Sequence, residues 1–221
     1  GGRRRAMRLL DALRVPRDGV TSALSASLAS QLLRSRAASH HVLGRGSLEG
    51  VTVLVPLYPC GARPRWDASP ESRLSLLCLL AAWRAGGVVA PVTPQLLRPP
   101  RDPLGLQPER RRHVQELPAV LAQWRPGVVF SFGELGGLLA RMASPGTAWP
   151  ARGLAHLRPA LRFVPHEPRE PSSTRRRLQV PLVDERDPGA PAAELPGGQR
   201  LTFSALLDAV MDPAGRAGLL L

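Results

Sequence analysis

Between Leu74 and Trp83 almost every position is apolar, and the predicted helix shows no polar face before Arg84. A helix that is hydrophobic all round belongs inside a structure. Ser69 followed by Pro70 reads as its start: the serine oxygen can cap free N–H groups, and proline's fixed φ suits the first turn. Gly86 and Gly87 end it, because glycine accepts the left-handed backbone needed just past a helix. Val88 to Pro91 is then a short apolar run, predicted to be a buried strand that closes at Pro91 and Pro94. A helix from Pro70 to Ala85 would be about 24 Å long, enough to cross one face of a sheet.

The pattern before and after this unit is of the same kind. Leu24, Leu28 and Leu32 within Val20 to Leu33 lie at helical spacing, with Thr21 or Ser22 available as a cap. Val51 to Leu57 is β-branched and reads as the clearest strand. Val114, Leu117, Val120, Leu121 and Trp124 mark one face of a helix starting near His113, stopped by Pro126 and Gly127. Val128 to Phe130 reads as another buried strand, and Leu135, Leu138, Leu139 and Met142 as the next helix. Leu161 to Val164 and Leu178 to Val183 are weaker strands. Leu201 to Val210 is a last helix, and Gly218 to Leu221 begins a strand. Strands alternating with helices predict an α/β fold: a layered, mostly parallel sheet flanked by helices.

The chain divides into a basic N-terminal segment, residues 1–19, and a single incomplete α/β domain, residues 20–221, with loop inserts at 60–68 and 97–112. The first segment carries Arg3, Arg4, Arg5, Arg8, Arg14 and Arg17. Such a start can be a transit peptide, but Asp11 and Asp18 weaken that reading and a surface helix is preferred. The proline-rich insert ending in Arg110, Arg111 and Arg112 is expected to be exposed and without fixed secondary structure until His113.

Composition narrows the function classes. Hydrophobic content of 43% is ordinary for a globular protein, whereas 4% aromatic content argues against a platform of stacked nucleic-acid bases. No run is apolar long enough to span a bilayer. All 30 basic residues are arginine, and the formal charge of +13 would draw the chain to polyanions without selecting among them. Cys60 and Cys78 are too few for a disulfide framework, and Cys78 in the apolar helix reads as a small buried hydrophobe. The compartment is left open, with an intracellular one favoured over a secreted one.

In order, these elements resemble the N-terminal subdomain of the acyl-adenylate-forming (AMP-binding) enzymes, which include acyl-CoA synthetases, luciferases and the adenylation domains of peptide synthetases. VTSALSASLASQLL from Val20 resembles the family's first core motif, with Ser22 in place of its tyrosine and Leu24 roughly at its glutamate. Gly50 to Pro56 resembles its strand of alternating valines. Leu79 to Val92, LLAAWRAGGVVAPV, is the strongest match, to the second core motif. Leu117 to Leu135 continues in the family's order, and Leu201 to Leu221, with Asp212-Pro213, resembles the region before the phosphate loop.

The resemblance implies a scaffold portion of an ATP-dependent ligase that activates a carboxylic acid as its acyl-AMP and passes it to a thiol. ATP, Mg and coenzyme A or a phosphopantetheine arm are implied for the intact enzyme, and none for this portion. The remainder of the enzyme chain and an acyl-carrier protein are the implied partners; nucleic acid is disfavoured. The family's glycine-, serine- and threonine-rich loop would follow Leu221, and no glycine-rich phosphate signature lies within the chain. The portion is therefore expected to be inactive alone, and no catalytic, cofactor-binding or metal residue is assigned.

Other constellations are better read blandly. His40-His41 lacks surrounding ligands, and no G-x-S-x-G marks a hydrolase. Arg110 to Arg112 and Arg175 to Arg177 read as solvated runs, and Glu167, Glu170, Asp184, Glu185 and Asp187 as loop residues. The competing hypothesis is a basic α/β domain binding nucleic acid or another polyanion through Arg98 to Arg112 and Arg175 to Arg177. A third reading is a non-catalytic homologue that kept the scaffold.

Overall fold

The structure, a computed structural model, describes residues 9–16, 18–35, 37–39, 46–58, 66–94, 97–98, 115–142, 162–165, 186–195 and 197–211. In chain order the elements are α1 (Gly19–Arg34), β1 (Thr52–Pro56), α2 (Pro70–Arg84), β2 (Val88–Val92), β3 (Leu97–Arg98), β4 (Gln115–Glu116), α3 (Leu117–Trp124), β5 (Val128–Phe130), α4 (Gly133–Met142), β6 (Arg162–Phe163), β7 (Pro191–Glu194), β8 (Arg200–Thr202) and α5 (Phe203–Met211). Six strands form one sheet in the order β6-β5-β1-β2-β7-β8. All neighbours are parallel except β7 and β8, so the fold is α/β with a mostly parallel sheet.

α2 and β2 form where the apolar pattern places them. Ser69 Oγ accepts from the Ser72 N–H, Pro70 fills the first turn, and Gly86 takes φ +89 just past the helix. Gly87 has a different reason to be glycine. A Cβ there would lie 2.6 Å from Val53 Cγ2, so only a bare backbone lets the chain turn against β1. β2 then pairs with β1 along its whole length, from Thr52 opposite Val88 to Pro56 opposite Val92. Leu76 to Trp83 are all buried.

Alternation along the strands separates two cores. Val53, Val55, Val89, Val128 and Phe130 pack with residues of α1, α2 and α5. Leu54, Ala90, Val92 and Val129 pack with residues of α3 and α4 on the other face.

Several expectations are corrected. The N-cap of α1 is Asp18, not Thr21 or Ser22: its carboxylate accepts from the Thr21 N–H, and the helix begins at Gly19. Ser22 instead serves Arg84, whose Nη1 lies 3.2 Å from Ser22 O and 3.2 Å from Ser25 Oγ. Arg84, expected to open a polar face, is buried by this link between α1 and α2. The N-terminal segment is not simply a surface helix, since Leu9 is fully buried in the larger core and Leu13 O accepts from Trp66 Nε1 at 2.8 Å.

The insert at 97–112 does carry secondary structure at its start: Leu97–Arg98 pairs in parallel with Gln115–Glu116. That pairing delays the following helix to Leu117. The last helix starts at Phe203, because 200–202 form an edge strand and Thr202 Oγ1 accepts from the Ala205 N–H at 3.2 Å as a cap. The predicted strands at Leu178 to Val183 and Gly218 to Leu221 lie outside the described residues.

The Asp18 cap yields a pH-dependent prediction. The Thr21 hydrogen bond holds the Asp18 carboxyl below its ordinary value of 3.8. A depressed folded pKa means the cap's stabilisation is present above the unfolded pKa and is lost as pH falls through the folded one. Asp18→Ala is expected to cost about 1 kcal/mol at neutral pH. Urea titrations of both chains should show this gap closing in acid; a gap independent of pH would contradict the assignment.

Candidate functional site

β1 lies in the middle of the sheet. The chain adds β2 on one side of it, then returns to place β5 on the other. Open α/β sheets bind ligands outside the carboxyl ends of their strands where the strand order reverses in this way. Here that place is where β1 leads into Tyr58 and β5 into Phe132 and Gly133.

Two serines of α2 and its N-cap Ser69 lie beside the end of β1. Ser69, Ser72 and Ser75 recur every third residue, so they share a face of the helix. Ser75 Oγ donates to Pro56 O at 2.9 Å and accepts from the Tyr58 N–H at 3.2 Å. Ser72 Oγ donates to Tyr58 O at 3.3 Å. The end of β1 is thereby stitched to the first turns of α2, and both hydroxyls are buried.

Tyr58 carries the link across to β5. Its hydroxyl donates to Phe132 O at 3.2 Å and lies 3.5 Å from the Leu135 N–H, and its ring meets Phe132 at 5.7 Å. Burial is the main cause of the raised phenol pKa, so the group stays a neutral hydroxyl. Gly133 follows at φ +55, with the phenol directly above its α-carbon. Between the start of α2 and the β5–α4 turn is a cavity of about 160 Å³ lined by Pro70, Glu71, Arg73, Leu74, Leu77, Phe132 and Gly133. Leucine and phenylalanine side chains give it apolar surface, and the exposed Glu71 and Arg73 place one charge of each sign beside it.

The Ser72 and Ser75 hydroxyls are committed to backbone partners, and Tyr58 is committed to Phe132. Among the described residues no group of three histidine, cysteine or acidic side chains could hold a metal ion. Among them also, no helix is long and apolar enough to cross a membrane. Cys78 is fully buried, and burial pushes its thiol well above the ordinary value.

Among the described residues, those weighed in the sequence are not brought together as a site. His40, His41, Cys60, Arg110 to Arg112, Glu167, Glu170, Arg175 to Arg177, Asp184 and Glu185 lie outside the described residues. Asp187 accepts from the Gly189 N–H at 2.9 Å and so shapes a turn. Sequence reasoning missed Glu194. Its carboxylate is buried, accepting from Thr52 Oγ1 at 2.7 Å and from Arg200 Nε at 3.2 Å. The signal was available: Pro196, Gly197 and Gly198 between two short segments mark a hairpin. Gly197 and Gly198 both take positive φ there.

No protein-family model matches this chain, and no curated protein or solved structure is similar to it at significance.

Proposed function

We propose that this chain is the N-terminal scaffold portion of an ATP-dependent acyl-adenylate-forming ligase, which activates a carboxylic acid as acyl-AMP and passes it to a thiol. The observation that carries this reading is α2 halting at Gly86-Gly87 and feeding directly into β2, paired in parallel with β1 over its whole length. That is the arrangement implied by the resemblance of LLAAWRAGGVVAPV to the family's second core motif. The alternation of α1, β1, α2, β2, α3, β5 and α4 from Gly19 to Met142, interrupted only by the short β3–β4 pair, further supports it.

On this proposal the present residues are not the part of the enzyme that holds the nucleotide. Holding phosphates takes closely spaced backbone N–H groups on a glycine-rich loop, and no such signature occurs in the sequence. ATP, Mg and coenzyme A or phosphopantetheine accordingly belong, on this proposal, to the intact enzyme. The role of the present residues is to hold strands and helices behind that site. An acyl-carrier protein is the proposed partner of the intact enzyme.

Two measurements test the reading. The 221-residue chain is expected to show no carboxylate-dependent ATP–pyrophosphate exchange above background. The natural polypeptide carrying this sequence, isolated with an antibody against it, is expected to be longer and to form hydroxamates from a carboxylic acid, ATP and hydroxylamine. Exchange by the short chain would overturn its scaffold role. A natural polypeptide that forms no hydroxamate from any acid in a broad panel would overturn the ligase.

A further inference from the structure

Residues 186–195 and 197–211 are bound to one another by hydrogen bonds of their own. The Ala190 N–H donates to Asp187 O at 2.9 Å, Phe203 N–H to Ala190 O at 3.1 Å and Ser204 N–H to Pro188 O at 3.0 Å. Leu195 N–H donates to Gln199 O at 2.8 Å, closing the hairpin between β7 and β8. The segment is thus a folded strap: an anchor at Arg186, the β7–β8 hairpin, and α5 laid back over it.

Its attachments to the rest of the described residues are few and of different kinds. Arg186 donates to Arg84 O at the C-terminus of α2, where a cation is favoured by the helix dipole. Trp83 Nε1 donates to Ala192 O at 2.9 Å, and Phe203, Leu206 and Leu207 enter the larger core. β7 pairs with β2 at the edge of the parallel strands. A further tie is the Glu194 carboxylate, which takes Thr52 Oγ1 from β1 and Arg200 Nε from β8. Arg200 Nη2 also reaches Thr52 Oγ1 at 3.4 Å, so the three side chains form a closed triangle.

The triangle has an asymmetric cost. A buried carboxylate is tolerated only while both partners satisfy it, and losing one exposes the desolvation cost of the charge. In the docked strap Glu194 has both partners, and replacing it would leave the Thr52 hydroxyl and the Arg200 guanidinium without their carboxylate. It is the one carboxylate among the described residues that is buried, and it spans β1, β7 and β8.

We infer that residues 186–211 dock and open as one cooperative strap, with the Thr52–Glu194–Arg200 triangle as its latch. Cooperative opening of supersecondary units below the global unfolding free energy is a known property of native proteins. The strap meets its conditions: contiguous sequence, an edge position and internal hydrogen bonds. Opening would uncover the β2 edge while leaving β6, β5, β1 and β2 paired.

Native-state hydrogen exchange on the full chain tests this. In low guanidinium, amides of 191–202 are expected to exchange through a common opening at least tenfold faster than those of 52–56 and 128–130. Glu194→Gln is expected to speed exchange of 191–202 a further tenfold or more and leave 128–130 within twofold. Thr52→Val, which keeps the side-chain shape, should reproduce the pattern if Glu194→Gln does not fold. Exchange of all strands at one rate in the parent chain, or equal acceleration of all strands in the folded variant, would overturn the latch.

Discussion

Trp83→Ala is expected to lower the unfolding free energy by about 3–5 kcal/mol, the range for removing a large buried aromatic. Three roles are lost together. The indole fills the core at 2% exposure, its edge meets Phe203 at 5.5 Å, and its N–H satisfies Ala192 O at 2.9 Å. Trp83→Phe separates them. It keeps much of the ring but leaves the Ala192 carbonyl without its indole donor, which is expected to cost about 1–3 kcal/mol. Urea unfolding with the slope held in view checks both, since a changed slope would signal a different transition. A Trp83→Ala chain within 1 kcal/mol of its parent would show that the indole does not bind the strap to the helix.

Gly133→Ala is expected to destabilise by about 2–4 kcal/mol, from two independent penalties. The residue takes φ +55, where a side chain is strained, and a Cβ there would lie 2.2 Å from Tyr58 Oη and 2.7 Å from Cζ. Tyr58 has little room to retreat, because its hydroxyl is held by Phe132 O and its ring by the adjoining core. In a Tyr58→Leu background the steric part should vanish. The cost of Gly133→Ala is then expected to fall to about 1–2 kcal/mol, the backbone penalty alone. A double-mutant cycle by urea unfolding measures the difference. Equal costs in both backgrounds would mean that the phenol and the glycine do not meet.

The parts of the fold legible in the sequence were those where burial leaves no choice. An apolar run bounded by Ser69-Pro70 and Gly86-Gly87 could only be an interior helix, and β1, β2 and β5 are continuous apolar runs because helices cover both their faces. The β7–β8 hairpin was not legible by that criterion. β7 reads Pro-Ala-Ala-Glu, with two small residues and a carboxylate, and its burial comes from neighbours far away in the chain. Asp18 was passed over as a cap because the apolar pattern begins two residues later, at Val20. The crevice was legible only as strand order, since Tyr58, Ser75 and Gly133 become partners through packing rather than spacing. Arg84 shows the same limit: a charge at a helix end reads as solvated until a neighbouring helix turns its serines toward it.

The bond from Trp83 to Ala192 joins residues 109 positions apart. During synthesis at about 5–20 residues per second, the indole waits on the order of 5–20 seconds for its acceptor to be made. Through that interval the ribosome-bound chain presents an oily ring and an open strand margin with no covering from its own sequence. The strap is thus encoded after the strands it covers, so the order of synthesis sets a lag between making the β2 margin and covering it.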